Sequence, residues 1–206
     1  MQYTALDKTL YEALNAVALK KMATVTGVVD TTTLDAGVAQ SALDALAERN
    51  LIARVGENAL PTDACADALT ASAAEVYAAV RTDPAVQTVA SKFEDVNARF
   101  LKTMSAWQQI DVGGRKIVND HSDPDYDNKM IAQIDRLVSR LSNLLEILGD
   151  RDPRFLIYID RFRDSLAKVD GGDIAFVSDP TRDSVHNIWF EFHEDLLRTL
   201  GLKRKE

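Results

Sequence analysis

Disulfides, membrane spans and a positive field are what this 206-residue chain lacks. It has one cysteine, Cys65, so no internal disulfide can form, which fits a reducing cytoplasm. No His or basic residue neighbours that thiol in sequence, and Cys65 is read as a small, half-buried residue. No apolar run approaches the roughly 20 residues that span a bilayer. The start, Met1-Gln2-Tyr3-Thr4, lacks the basic and apolar regions of a secretory signal. Lys and Arg number 24 against 32 Asp and Glu, a net charge of -8. The overall field therefore does not draw the chain to nucleic acid or to an anionic membrane. Enzyme signatures are missing too. There is no G-x-S-x-G elbow, no H-E-x-x-H, no phosphate loop and no G-x-G-x-x-G after a strand. No catalytic residue, metal site or cofactor is assigned, and the chain is expected not to be an enzyme.

What is present is helical patterning in an ordinary globular composition, 46% hydrophobic and 27% charged. Leu6, Leu10, Leu14 and Val17 form one stripe over 5–17. A short helix follows across 18–28, with Gly27 expected to supply the positive φ of its closing turn. A third helix is expected from about Thr33 to Arg49, capped by Asp30 or one of Thr31, Thr32 and Thr33. Its inward stripe would be Leu34, Val38, Ala42 and Leu46. Leu51 to Val55 reads as a strand, Gly56-Glu57-Asn58 as a turn, and Ala59-Leu60-Pro61 as the return. Thr62 would cap a fourth helix running from about Asp63 to Arg81.

The order helix, helix-turn-helix, β-ribbon, helix resembles the winged-helix superfamily, most nearly its multiple-antibiotic-resistance-regulator (MarR) branch. The resemblance rests on Met22-Ala23, Thr26-Gly27-Val28, Leu43 to Leu46, Asn50-Leu51-Ile52 and Leu60-Pro61-Thr62. It covers about a third of the chain and specifies fold better than function.

From Asp83-Pro84 the pattern changes to four long apolar stripes. They are led by Phe93-Phe100-Trp107, Ile134-Leu141-Leu148, Phe155-Phe162-Val169 and Ile188-Phe192-Leu196. Four such helices satisfy one another in a bundle, with Gly149, Pro153 and Gly171-Gly172 as breaks. The long connection 108–122 is expected to hold a hairpin with Gly113-Gly114 at its tip. The expected fold is mainly α: a winged helix-turn-helix domain with a short β-ribbon, 1–82, then a four-helix-bundle-like domain, 83–206.

A winged helix that binds DNA presents Arg, Lys, Asn or Gln to bases and cations to phosphates. Here the third helix is expected to expose Asp35, Ala36, Ala39, Gln40 and Asp44, and no Lys or Arg lies between Lys21 and Arg49. Candidate DNA contacts reduce to Lys20, Lys21, Gln40, Arg49 and Arg54. Residues 1–80 hold five Lys or Arg and ten Asp or Glu, a net of -5, against a ligand whose affinity rests on cation-phosphate contacts. Protein docking or self-association is the favoured use of this unit, and a DNA-binding transcription regulator of MarR type is the alternative.

All three histidines fall in the second half. Asp123, Asp125 and Asp127 imitate a calcium loop, but Asn128 and Ile134 occupy its glycine and final carboxylate positions, so the run is read as a capped helix start. His186 and His193 stand two helical turns apart, too far to share one metal without bending. The candidate ligand or partner pocket comprises Trp107, Asp120, His121, Asp123, His186, Trp189, His193 and Glu194, with the two tryptophans as walls. Trp107-Gln108, Asn119 to Asp123, Tyr126-Asp127, His186, Trp189-Phe190-Glu191 and His193 to Leu197 also resemble a set of actinobacterial proteins. In those, a winged-helix-plus-bundle region accompanies, or is appended to, phosphoenolpyruvate-utilising enzymes related to pyruvate phosphate dikinase. The resemblance implies an accessory or regulatory module, since this chain has neither their phosphohistidine domain nor their ATP-grasp machinery. A small-molecule ligand is compatible with it; a membrane partner is not expected.

Overall fold

A computed structural model describes residues 5–203. It is mainly helical, 69% helix and 9% strand, with two separate two-stranded sheets. No described helix is long and apolar enough to cross a membrane.

The chain opens with α1 (Lys8–Lys20), capped by Asp7, whose carboxylate accepts from Leu10 N. It ends at Lys21, which takes the left-handed conformation, φ 62°. The positive φ expected at Gly27 therefore belongs to Lys21. Gly27 lies inside α2 (Val25–Val29), where the Thr24 hydroxyl caps its N–H. The next helix, α3 (Ala36–Glu48), starts three residues later than expected because Asp35, rather than Asp30 or a threonine, accepts from Val38 N. Its inward face is Ala39, Ala42, Leu43 and Leu46. That set follows the i, i+3, i+4, i+7 helical stripe, whereas a strict four-residue step drifts around the helix. Ala39, expected outside, is thus buried, and Val38, expected inside, is exposed.

Strands β1 (Ile52–Val55) and β2 (Asn58–Pro61) pair antiparallel, with Val55 opposite Asn58. Ala23 bridges to Ala59 and ties the ribbon to the α1–α2 turn. The expected fourth helix is two: α4 (Cys65–Val76) and α5 (Ala78–Thr82). Thr62 does not cap α4, since its hydroxyl donates back to the Asn50 and Leu51 carbonyls and closes the ribbon onto α3 instead.

Asp83 and Pro84 start α6 (Pro84–Gln108), and Asp123 and Pro124 start α7 (Pro124–Gly149), each aspartate capping while the proline takes the first turn. Between them β3 (Gln109–Val112) and β4 (Arg115–Val118) form the expected hairpin. Gly113 and Gly114 both have positive φ, 62° and 81°, as a type I′ turn demands. A 3₁₀ turn at Pro153–Phe155 leads into α8 (Leu156–Asp170), and α9 (Ala175–Ser178) and α10 (Val185–Leu200) follow. A Cβ on Gly149 would sit 2.3 Å from the Leu156 side chain, so glycine permits the close α7–α8 corner.

Among the described residues, the buried apolar side chains other than Leu197 fall into two clusters. One runs from Leu6 to Tyr77, the other from Val86 to Leu200, and Val80 packs against both. Helices α6, α7, α8 and α10 share the second. Contacts between α1 and α10 and between α4 and α10 join the two.

Candidate functional site

The α3 face expected to meet DNA carries exposed Asp35, Gln40, Asp44 and Glu48. Its candidate readers are spent internally. Gln40 Nε2 donates to both oxygens of Asp44 (2.8 and 2.9 Å), and Arg54 Nη2 donates to Asp44 Oδ1 at 2.9 Å. Those bonds, Gln40 first and Arg54 next, hold the Asp44 carboxyl below its ordinary pKa. Lys20 points away from this face. Its ammonium lies 2.9 Å from Asp183 and 3.6 Å from Glu191, both in the C-terminal half. Lys21 and Arg49 are exposed and make no ion pair among the described residues.

The eight residues of the candidate pocket divide between two places on α6. At its C-terminal end the Trp107 and His121 rings lie 4.3 Å apart, and Trp107 Nε1 donates to Ser178 Oγ at 3.2 Å. His121 Nδ1 is 3.0 Å from Asp127 Oδ2. Buried Asn119 donates to Asp127 Oδ1 (3.0 Å) and to the Trp107 carbonyl (3.0 Å). His121 itself has φ 59°, a backbone posture fixed here by Asn119 Oδ1 accepting its N–H. Asp120 and Asp123 are exposed and serve the backbone, accepting from Ser122 N and from Asp125 and Tyr126 N. The Ser122 hydroxyl bond, then its backbone bond, lowers the Asp120 pKa.

The second place is higher on α6. Trp189 stacks flat on Phe100 (3.8 Å, 4°) and donates to Asn97 Oδ1 at 3.0 Å. His186 lies 6.3 Å from the Phe100 ring, and His193 sits edge-on to Phe93 at 5.1 Å. Phe93 and Trp107 are fourteen residues apart on one helix, about 21 Å along its axis. Phe100, on which Trp189 stacks, is seven residues or about 10 Å from Trp107, and neither Trp107 nor His121 lines the cavity at Trp189, so the two tryptophans do not wall one pocket. A cavity of about 130 Å³ opens at the second, lined by Asn97, Phe100, Leu101, His186, Trp189, Phe190 and His193. Glu194 is not among its lining residues. Burial lowers the His186 pKa and favours its neutral imidazole. The volume is near that of a cavity that holds one benzene ring. Among the described residues no group of three or more His, Cys, Asp or Glu is placed to hold a metal.

A third polar cluster, absent from the sequence reading, lies where the two cores meet. Arg154, 2% exposed, ion-pairs with Asp195, 1% exposed, and its Nη2 donates to the Tyr77 hydroxyl at 3.1 Å. Tyr158 donates to Asp195 Oδ2 (2.9 Å), and Asn15 of α1 donates to Asp195 Oδ1 (2.7 Å). Tyr77 donates to Asp152 at 2.9 Å, which also receives Lys8 at 3.1 Å. Burial alone would raise the Asp152 pKa, but the Arg154 and Lys8 charges outweigh it and hold the carboxyl low. Burial likewise opposes the charge on Arg154, and Asp195 and its neighbours overcome it. The missed signal was the four-residue spacing of Glu191, Asp195 and Thr199. On α10 it makes a polar stripe that meets Lys20, Asn15 and Arg154 instead of solvent. The seam balances its charges and bonds most of its polar groups, the buried Tyr11 hydroxyl against Tyr77 being left without a hydrogen bond among the described residues, and it has the character of a structural lock rather than an open reaction site.

Comparison of the chain with protein-family models, with characterised proteins and with solved structures finds no match.

Proposed function

We propose that the chain is a non-enzymatic regulatory or protein-interaction module of the cytoplasm. In this reading residues 1–82 form a winged helix-turn-helix of MarR-like type that docks another protein. Residues 83–206 form a four-helix bundle that carries a small-ligand pocket. The observation that carries the reading is the fate of the cations on the N-terminal unit. Arg54 is held by Asp44, Lys20 is held by Asp183 and Glu191, and α3 presents Asp35, Asp44 and Glu48 outward. Such a face repels phosphate and suits a basic protein surface. A phosphoenolpyruvate-utilising enzyme is the partner class that the bundle resemblance implies. The pocket at His186 and Trp189 fits one planar ring or a partner side chain of that size.

The alternative, a transcription regulator, is favoured by one feature. A cleft of about 440 Å³ between α2, α3 and the ribbon is lined in part by Thr24, Thr26, Gln40 and Arg54, groups able to meet a phosphate backbone. Fluorescence anisotropy of a labelled duplex decides between the two. The docking reading expects no binding even at about 50 mM salt, where nonspecific affinity is strong. Binding that falls steeply toward about 200 mM would give the regulator reading the lead.

A further inference from the structure

The β3–β4 hairpin belongs to neither polar site, and its exposure needs an account. All four residues of β4 are exposed, and Val118, Val112 and Ile117 show 78%, 54% and 47% of their surface. Among the described residues the sheet consists of β3 and β4 alone. A two-stranded hairpin in water is marginal unless another element covers it.

The register says which edge is free. Val112 pairs with Arg115 across the two-residue turn, and Ile110 pairs with Ile117. Those are the hydrogen-bonded pairs of the ladder, an alternation continued by Asn119 N donating to Gln108 O at 2.9 Å. The backbone groups of Lys116 and Val118 therefore point outward from β4. Charge is arranged along the same edge. The tip carries exposed Arg115 and Lys116, with one exposed acid, Asp111, opposite Lys116 on β3, and the base leads into exposed Asp120, Asp123 and Asp125.

We propose that β4 pairs antiparallel with β4 of a second copy of this chain, about a two-fold axis at Ile117. This joins two hairpins into a four-stranded sheet. Lys116 then exchanges backbone hydrogen bonds with Val118 of the second copy, and Ile117 faces its own equivalent. A dyad there keeps the pleat in phase, so Ile110 and Ile117 of both copies line one face. It also lays the basic tip of each hairpin beside the acidic base of the other, which is what an isologous contact needs. A second copy is favoured over a foreign strand because the edge is complementary to itself in charge, pleat and hydrogen bonding. The contact is small, and the dimer is accordingly a weak, micromolar one. This inference stands apart from the reading of the N-terminal unit.

The test combines sedimentation velocity with cysteine cross-linking of the full chain. Wild type should shift from monomer to dimer across the micromolar range. Under mild oxidation Ile117→Cys should give a covalent dimer, because residues facing each other across an antiparallel dyad lie within disulfide reach. Ile110→Cys should not, because its equivalents stand three strand spacings apart, about 14 Å. The native thiol, Cys65, is buried, so the added cysteine is what reacts. Val118→Lys, at an exposed site, sets lysine against lysine twice across the dyad and should weaken the dimer by about tenfold. A chain that stays monomeric, equal cross-linking at 110 and 117, or a Val118→Lys variant that dimerises like wild type would each overturn the proposal.

Discussion

The two cores of this protein are made of different materials. Among the described residues, the first contains eight buried alanines and no Phe or Trp. The second contains no fully buried alanine and is built on Phe93, Phe100, Trp107, Phe155, Phe162, Trp189 and Phe192. All seven phenylalanines and both tryptophans lie beyond residue 92. Alanine faces let the short helices α1, α3 and α4 approach closely. Large rings on the longer helices pack against one another, and the buried stack of Phe100 on Trp189 walls the cavity beside His186. The comparison teaches that two cores of opposite packing, small side chains in one and large rings in the other, can share one chain. The two meet at a polar seam, with partly buried Val80 packed against both.

Breaking that seam should have the largest effect. Arg154→Met removes the cation between Asp152 and Asp195 and leaves two buried carboxylates without it, which should cost about 3–5 kcal/mol in denaturant unfolding. Adding Asp195→Leu to Arg154→Met should cost less than the sum of the single changes, because the two residues share one network. In the aromatic core, Phe162→Ala should also cost about 3–5 kcal/mol by leaving a cavity. The alanine core should fail in the opposite sense. Ala42→Leu, overfilling a packed interface, should cost about 1–3 kcal/mol.

The smallest effect is a pH dependence from His186. Burial lowers its pKa in the folded chain, so the unfolded chain takes up the proton first as pH falls below about 6.5. The stability of the neutral, buried imidazole is whole above that pH. It declines as pH falls through the window down to the folded-state value. Thermal midpoints measured between about pH 5 and 7.5 should rise with pH. His186→Asn should flatten that slope; an unchanged slope would assign it to other groups.

The structure shows which kinds of information a single sequence carries. Asp83-Pro84, Asp123-Pro124 and Gly113-Gly114 were readable because each works through chemistry within a few residues. The long stripes of α6, α7 and α10 were readable because their period is strong. Gly27 and Thr62 misled because a local preference was overruled by neighbours. Lys21 took the left-handed turn, and the Thr62 hydroxyl found carbonyls eleven and twelve residues back. The expected pocket was half legible. His186, Trp189 and His193 lie together because one helix carries them, but joining them to His121 required knowing where α6 stood between them. The seam was not legible at all, since Asn15 and Asp195 are separated by 180 positions and each reads alone as an ordinary solvated residue.

Nature supplies one probe for each core, and these give the most direct test of the claim that the seam makes them one unit. Both tryptophans sit in the aromatic core, and the only cysteine, Cys65, is buried in the alanine core. Burial pushes the Cys65 thiol up to about 11, so it reacts slowly until that core opens. Tryptophan fluorescence and pulsed thiol labelling should be followed through the same denaturant titration. Coincident transitions in the wild-type chain are the predicted result. Labelling of Cys65 at denaturant concentrations where the tryptophan signal is still native would contradict the account, and would mean that the N-terminal unit opens on its own.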